Sequence, residues 1–327
     1  MEVRRLGESG LKVSKLCLGC MSFGGAGGPT HPWAMDEEAA QPFFRRAIEA
    51  GVNFFDTANA YNHGASEEVT GRALKEYASR DEVVIATKVG LQMGSGPYKR
   101  GLSRRHIMEH IDGSLRRLGT DHVDLYFIHR LDPDTPLEET LVALDDIVRA
   151  GKVRYLGASS MWTWQFVKMR EMQKANGLAP FVAMQNFYNL AYREEEREMI
   201  PYCRSEGVGL VPWSPLARGF LTRPQSDEEG PSKRNSEDPL RSKFFGTAGD
   251  FAVLKRVEAA ADRLGVTMAQ VALAWVMAQP GVTAPIIGAT KIGQLEDAIK
   301  ASGLQLDART AKSLESVYRP RAAMGHS

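Results

Sequence analysis

The chain has 327 residues, 43% of them hydrophobic and 25% charged, with a net charge of +1. This is the profile of a globular protein long enough to bury a sizeable core. It excludes a polybasic binder of nucleic acid or anionic membrane, a disulfide scaffold (three cysteines, an odd number) and, with no apolar run long enough to cross a bilayer, a helical membrane protein. The opening MEVRRLGESGLKV lacks a signal-peptide apolar core, so the cytoplasm is the expected compartment.

Residues 4–6 and 11–13, split by GESG, predict a β-hairpin. Residues 16–18 predict a strand, and the glycine-rich stretch 19–28 follows it. The helix expected over 36–50 closes on Gly51. In GVNFFDTANAYNHGASEE, residues 51–68, Val52, Phe54 and Phe55 form a short β-type run that stops at Asp56. Burying an unpaired carboxylate is costly, so Asp56 is expected at the rim rather than inside the core. Tyr61 lies one short loop later. Ser66 is expected as an N-cap, with Glu67 and Glu68 at the positive end of a helix that continues over 69–77.

The strand at 82–87 runs into Lys88. Ser103 caps a helix over 104–118. The strand at 123–128 runs into His129, and the helix at 137–150 ends on Gly151. Four further units are expected: 153–157 with 164–176, 181–185 with 193–206, 208–212 with 251–264 and 268–278, and 283–287 with 292–301. The count and length of these β-then-α units predict an α/β fold, a (β/α)₈ TIM barrel with an N-terminal β-hairpin, as a single domain over 1–327. A doubly wound sheet is the alternative, but it wants G-x-G-x-x-G after its first strand. The glycines of 19–28 do not have that spacing, and Pro29 and Pro32 follow instead of a helix. Two loops break the rhythm, 90–101 and 222–242. Both leave the same rim and are read as covering loops. The tail 319–327 is expected to be poorly ordered.

Four strand and loop edges therefore bring Asp56, Tyr61, Lys88 and His129 to one face. A lysine beside a phenol favours the phenolate and eases movement of its proton. An aspartate can pair with that lysine, and a histidine at the same rim can hydrogen-bond a substrate oxygen. The set describes a tyrosine acid–base group near a carbonyl. Cys17 and Cys20 form a CxxC, but with no second CxxC to complete a metal site they read as two structural cysteines, and no metal is expected.

GVNFFDTANAYNHGASEEVTGRAL, VVIATKVG and DLYFIHRLDP resemble the three motifs of the aldo-keto reductases, in order and at fitting separations. The likeness extends from the hairpin to PIIGATKIGQLEDAI, and is nearest to the bacterial aryl-alcohol dehydrogenase-like and potassium-channel β-subunit-like branch. The resemblance implies a barrel that binds NADP(H) without a Rossmann domain, and a catalytic tetrad of Asp56, Tyr61, Lys88 and His129. It further implies that Ser159, Ser160 and Gln185 hold the nicotinamide carboxamide and that Trp213 stacks on its ring. Ser214, Leu216, Arg218 and Gly219 would follow the pyrophosphate. Gly288, Thr290 and Lys291 would hold the 2′-phosphate at a helix N-terminus, with Gln294 on the adenine side and Arg234 as a clamp. Where relatives often carry Glu-Asn near the adenine, this chain has Asp297-Ala298. Cys20 and Met21 are expected in the site floor, and Trp33 and Tyr98 as substrate-pocket aromatics.

The function expected is NADP(H)-linked reduction of an aldehyde or ketone, or the reverse, acting on a small-molecule carbonyl or alcohol. A regulatory or scaffold protein that binds the nucleotide with little turnover is the competing class. A metal-dependent barrel hydrolase would need clustered His and carboxylate ligands at strand ends, and only His129 is clearly placed so.

Overall fold

The computed structural model describes residues 1–25, 28, 31–225 and 243–326. Among them, β1 (Val3–Arg5) and β2 (Lys12–Ser14) pair antiparallel as the expected hairpin. Eight parallel strands follow: β3 (Cys17–Gly19), β4 (Phe54–Asp56), β5 (Val84–Val89), β6 (Val123–Ile128), β7 (Val153–Ser159), β8 (Phe181–Gln185), β9 (Gly209–Leu210) and β10 (Ile286–Ile287). They lie in the order β10-β3-β4-β5-β6-β7-β8-β9. Parallel bridges Leu210–Val282 and Trp213–Ile286 join the two ends of that order, so the sheet closes as a (β/α)₈ barrel.

Among the described residues the outer layer consists of α1 (Glu37–Glu49), α2 (Ala65–Tyr77), α3 (Arg104–Leu118), α4 (Leu137–Arg149), α5 (Thr163–Ala175), α6 (Met199–Ser205), α7 (Ala248–Leu264), α8 (Met268–Ala278), α9 (Ile292–Ala301) and α10 (Ala308–Glu315). Ser103 caps α3 by accepting from the His106 amide, as its place in the sequence requires.

Strand side chains alternate between the barrel interior and the helices. Phe54, Val84, Ala86, Leu125, Phe127 and Ala183 pack inside as one cluster, together with Leu6 and Val13 from the hairpin. Phe55, Ile85, Tyr126, Ile128 and Met184 pack outward under the helices. Gly157 faces Phe127: a Cβ there would sit 2.4 Å from its ring, so a side chain at 157 is incompatible with this filling of the interior. Continued upward, the inward parity of these strands falls on Asp56, Lys88, His129, Ser159 and Gln185. The alternation that fills the core thus places the polar set on top of it.

Several local expectations change. Ser66 is not the N-cap of α2; Gly64 (φ 96°) is, and Ser66 is buried in the first turn, where its hydroxyl donates to the Cys20 carbonyl at 2.7 Å and lies 2.8 Å from the Thr57 hydroxyl. The helix expected over 193–206 is a short turn (Glu194–Glu196) followed by α6. β9 and β10 are much shorter than 208–212 and 283–287. Pro212 and Pro285 have no N–H to give the ladder, which limits both strands. Helix α10 was not anticipated, although Asp307 caps it by accepting from the Thr310 amide. The tail expected to be loose is docked. Arg321 pairs with Asp250 at 2.7 Å, and the Met324 amide donates to the Tyr192 hydroxyl at 2.9 Å.

Candidate active site

Asp56 is buried, contrary to the rim position expected for it. Its carboxylate is paired: Lys88 Nζ lies 2.6 Å from Oδ2, and Gln185 Nε2 donates to Oδ1 at 3.0 Å. Lys88 is itself fully buried. Its ammonium has three donors, and all three are used: one to Asp56, one to the Thr57 carbonyl at 2.8 Å, and one to the Tyr61 hydroxyl at 3.1 Å. An ammonium satisfied on all sides has one geometry, so the Tyr61 oxygen is fixed against it. Tyr61 opens a short turn in which Asn62 (φ 46°) and His63 (φ 52°) are left-handed. Asn62 secures that turn to the first loop: Oδ1 accepts from the His31 amide at 2.9 Å, and Nδ2 donates to the Gly24 carbonyl at 3.1 Å. The imidazoles of His31 and His129 meet the Tyr61 ring edge-on, at 5.5 and 5.7 Å.

The charge states differ from the expectation for Tyr61. Burial raises its pKa above the ordinary phenol value, and the pull of Lys88 only partly offsets that. At neutral pH the group is therefore a protonated phenol already hydrogen-bonded to a cation. Burial disfavours the Lys88 charge, but Asp56 and Tyr61 outweigh it and hold the ammonium protonated. His129 is pushed well below its usual value by burial, then by Lys88 and Arg130. It is neutral, and among the described residues its Nδ1 has no hydrogen-bond partner. These groups face a cavity of about 1220 Å³ lined by Asp56, Tyr61, His129, Ser159, Gln185 and Trp213 at one end and by Arg218, Thr290, Lys291 and Gln294 at the other.

The model of the aldo/keto reductase family matches residues 15–319. The chain belongs to the aldo/keto reductase family. It is 42% identical to the versiconal hemiacetal acetate reductase of Aspergillus parasiticus, over 98% of each chain. It is also 42% identical to a putative aryl-alcohol dehydrogenase of Schizosaccharomyces pombe, over 98% of this chain and 96% of that one. A second putative aryl-alcohol dehydrogenase, from Saccharomyces cerevisiae, is 36% identical over 97% of each chain. The chain is accordingly an oxidoreductase of a family that acts on small carbonyl compounds, and the three relatives named are fungal proteins. Among the described residues no helix is long and apolar enough to cross a membrane.

In this aldo/keto reductase the remaining expected residues divide into those that reach the cleft and those that do not. The Trp213 ring lines it, stacked on Phe187 at 4.4 Å and 23°, with Phe187 stacked in turn on Tyr192. Ser160 does not line the cleft. Held at φ 43°, it accepts from the Trp213 indole N–H at 2.8 Å and so fixes the plane of that ring. The Ser159 hydroxyl donates to the Gln185 carbonyl at 3.0 Å. Ser214, Leu216, Arg218 and Gly219 line the cleft, where Ser214, Ala217, Arg218 and Gly219 all have positive φ. Gly288, Thr290 and Lys291 line its far end, at the start of α9. Gln294, expected toward an adenine, accepts from the amides of Thr290 and Lys291 at 2.8 and 3.2 Å and so shapes that end. Asp297 accepts from Gln270 at 2.8 Å. Arg234 lies outside the described residues.

Met21 lines the cleft, but Cys20 does not. Cys20 packs in the outer core, Cys17 packs in the interior, and both thiols are free. Burial raises the Cys20 thiol to about 12. Trp33 lines the cleft. Tyr98 does not: it is 52% exposed, with the Arg105 guanidinium 4.0 Å over its ring and its carbonyl 2.9 Å from His106 Nδ1. These contacts tie the Tyr98 part of the 90–101 loop to α3, while Leu91 and Gln92 at its start line the cleft. Among the cleft residues to which sequence reasoning assigned no role are His31 and Arg130. The signal for Arg130 was its place directly after a strand-end histidine.

Proposed function

We propose that this chain is an NADP(H)-dependent oxidoreductase, a single barrel domain over 1–327 of the cytoplasm, that reduces an aldehyde or ketone to an alcohol or runs the reverse. Tyr61 is its general acid–base. The observation that carries the reading is the Lys88 ammonium shared between Asp56 and the Tyr61 hydroxyl, with the hydroxyl facing the cleft.

The donor set fits the cofactor. Trp213, held flat by Ser160 and Phe187, offers a face for the nicotinamide ring, and Gln185, whose amide oxygen is unengaged among the described residues, stands beside Ser159 for its carboxamide. The left-handed run around Arg218 presents backbone N–H groups suited to a pyrophosphate. Thr290 and Lys291 at the α9 N-terminus suit a further phosphate, which favours NADP(H) over NAD(H). When bound, NADPH supplies hydride to the carbonyl carbon.

The chain's own residues do the rest. Neutral His129 donates a hydrogen bond that orients the carbonyl oxygen. Tyr61 passes its proton to that oxygen, and Lys88 stabilises the phenolate left behind. Asp56 keeps Lys88 charged and aimed. In the oxidative direction the same tyrosine accepts the proton.

The aryl-alcohol names of two relatives and the Trp33 wall make aromatic aldehydes the first compounds to assay. NADPH consumption, followed by absorbance with benzaldehyde and substituted benzaldehydes, is expected with the wild-type protein. Tight NADPH binding without turnover of any carbonyl would overturn the reading and leave the nucleotide-binding regulatory class.

A further inference from the structure

Arg130 is the feature of the cleft that this chemistry leaves unused. It follows His129 at the top of β6 and lines the cavity. One nitrogen is occupied: Nη1 donates to the His129 carbonyl at 2.6 Å and approaches the Ser159 hydroxyl at 3.4 Å. Among the described residues, Nε and Nη2 find no acceptor, and no carboxylate pairs with the guanidinium. Its charge is felt by both groups that handle the carbonyl, lowering the pKa of Tyr61 and of His129. Its carbon lies 5.9 Å from the centre of the Trp213 ring.

The guanidinium is half-buried in the cleft wall, and a partly desolvated charge without a counter-charge is costly. Lys88 is matched by Asp56, and His129 is neutral, so the catalytic end of the cleft carries one positive charge in excess. The amide oxygen of a nicotinamide carboxamide would give Arg130 a hydrogen bond but would not cancel the charge. The phosphate-binding features are gathered at the other end, around Arg218, Thr290 and Lys291. Among the described residues no free carboxylate faces this end, which leaves the substrate as the source of an anion beside Tyr61. A planar fork with one edge engaged and the other open suits a carboxylate.

We propose that Arg130 is a specificity-determining residue that binds a carboxylate carried next to the reacting carbonyl, so that this site prefers 2-oxo acids and closely related carboxylated aldehydes. The proposal rests on the reductase reading above. The step itself is unchanged: hydride goes to the carbonyl carbon, the C=O π pair moves to oxygen, and oxygen takes the Tyr61 proton. The carboxylate is bound and does not react.

The test compares phenylglyoxylate with its methyl ester, which present the same carbonyl with and without charge. The kcat/KM ratio of acid to ester is measured in wild type, Arg130→Met and Arg130→Lys. The ratio is expected to fall about tenfold or more in Arg130→Met and to be partly restored by Arg130→Lys. Using the ratio removes any shared loss from disturbing His129 or Ser159. A second arm needs no turnover: benzoate and benzamide binding to the NADP⁺-loaded protein is read by tryptophan fluorescence. Benzoate affinity relative to benzamide is expected to fall by a similar factor in Arg130→Met. Arg130→Gln serves if the Met variant does not fold. Ratios unchanged within about twofold overturn the proposal, as does a wild type that reduces the ester but not the acid. If wild type turns over neither compound nor any aldehyde, the reductase reading itself fails, and the benzoate arm still decides whether Arg130 is an anion site.

Discussion

Replacing Tyr61 with Phe isolates the proton-transfer role from the architecture around it. The ring stays where it is, because the Tyr61 amide donates to the Ala58 carbonyl at 3.1 Å and the rings of His31 and His129 pack against it in T-shaped contacts. Lys88 loses one of three acceptors and keeps Asp56 and the Thr57 carbonyl. A hydrogen bond to a charged group is worth about 1.5–3 kcal/mol, which bounds the loss of stability. A positioned general acid contributes about 10²–10⁴ in rate, so kcat/KM for aldehyde reduction should fall by that factor, about 3–5 kcal/mol of transition-state stabilisation. NADPH affinity, read by tryptophan quenching, should change little. The pH profile gives a second reading. The protonated phenol is the form that reduces, and burial raises its pKa, so activity should hold through neutral pH and fall only above the ordinary phenol value of 10.0. A Tyr61→Phe variant within about tenfold of wild type, or an alkaline limb that persists unchanged in that variant, would refute Tyr61 as the acid.

Lys88→Met leaves Asp56 buried without its cation and should cost about 3–5 kcal/mol in chemical denaturation. The Asp56→Asn/Lys88→Met double variant should recover part of that loss, and strict additivity of the two single changes would argue against the pair. Ser160→Ala removes the bond that fixes the Trp213 plane, worth about 1 kcal/mol, so NADPH should bind roughly fivefold more weakly; titration by fluorescence reads this, and unaltered affinity would count against Trp213 as the stacking face. His110 is buried on α3 with its Nε2 unpartnered among the described residues, stacked on His106 at 3.8 Å, and burial followed by repulsion from His106 depresses it from 6.5 to about 4. The unfolded chain then binds the proton more readily, so stability is full above pH 6.5 and is lost progressively as pH falls toward 4. Urea denaturation across that range should show the slope, and His110→Gln should flatten it.

Elements with their own punctuation were legible in the chain. The bounds of α3, β6, β8, α8 and α9 coincide with those expected from periodicity and neighbouring breakers, because a cap such as Ser103 or a glycine such as Gly119 acts within one turn of its position. That Asp56, Tyr61, Lys88 and His129 come together was legible for a related reason. Polar residues at the ends of apolar strands have few structural uses, and the inward parity of successive strands carries several of them to one rim.

What the tertiary structure decided depends on partners far away in sequence. Asp56 is buried because Lys88, 32 residues on, and Gln185, 129 residues on, come to it; no local pattern announces that the charge is matched. Tyr61 is raised rather than lowered because the enclosing loops remove more water than one ammonium can repay in attraction. Tyr98 leaves the cleft because Arg105 and His106 draw its loop to α3, and the tail is ordered because Asp250 and Tyr192 receive it. The sequence by itself set which chemical groups stand at the strand ends, since alternation along a strand is a local rule. Only the closed barrel set their charge states and their unpaired remainder, Arg130 above all, since desolvation and Coulomb balance are sums over everything that surrounds a group.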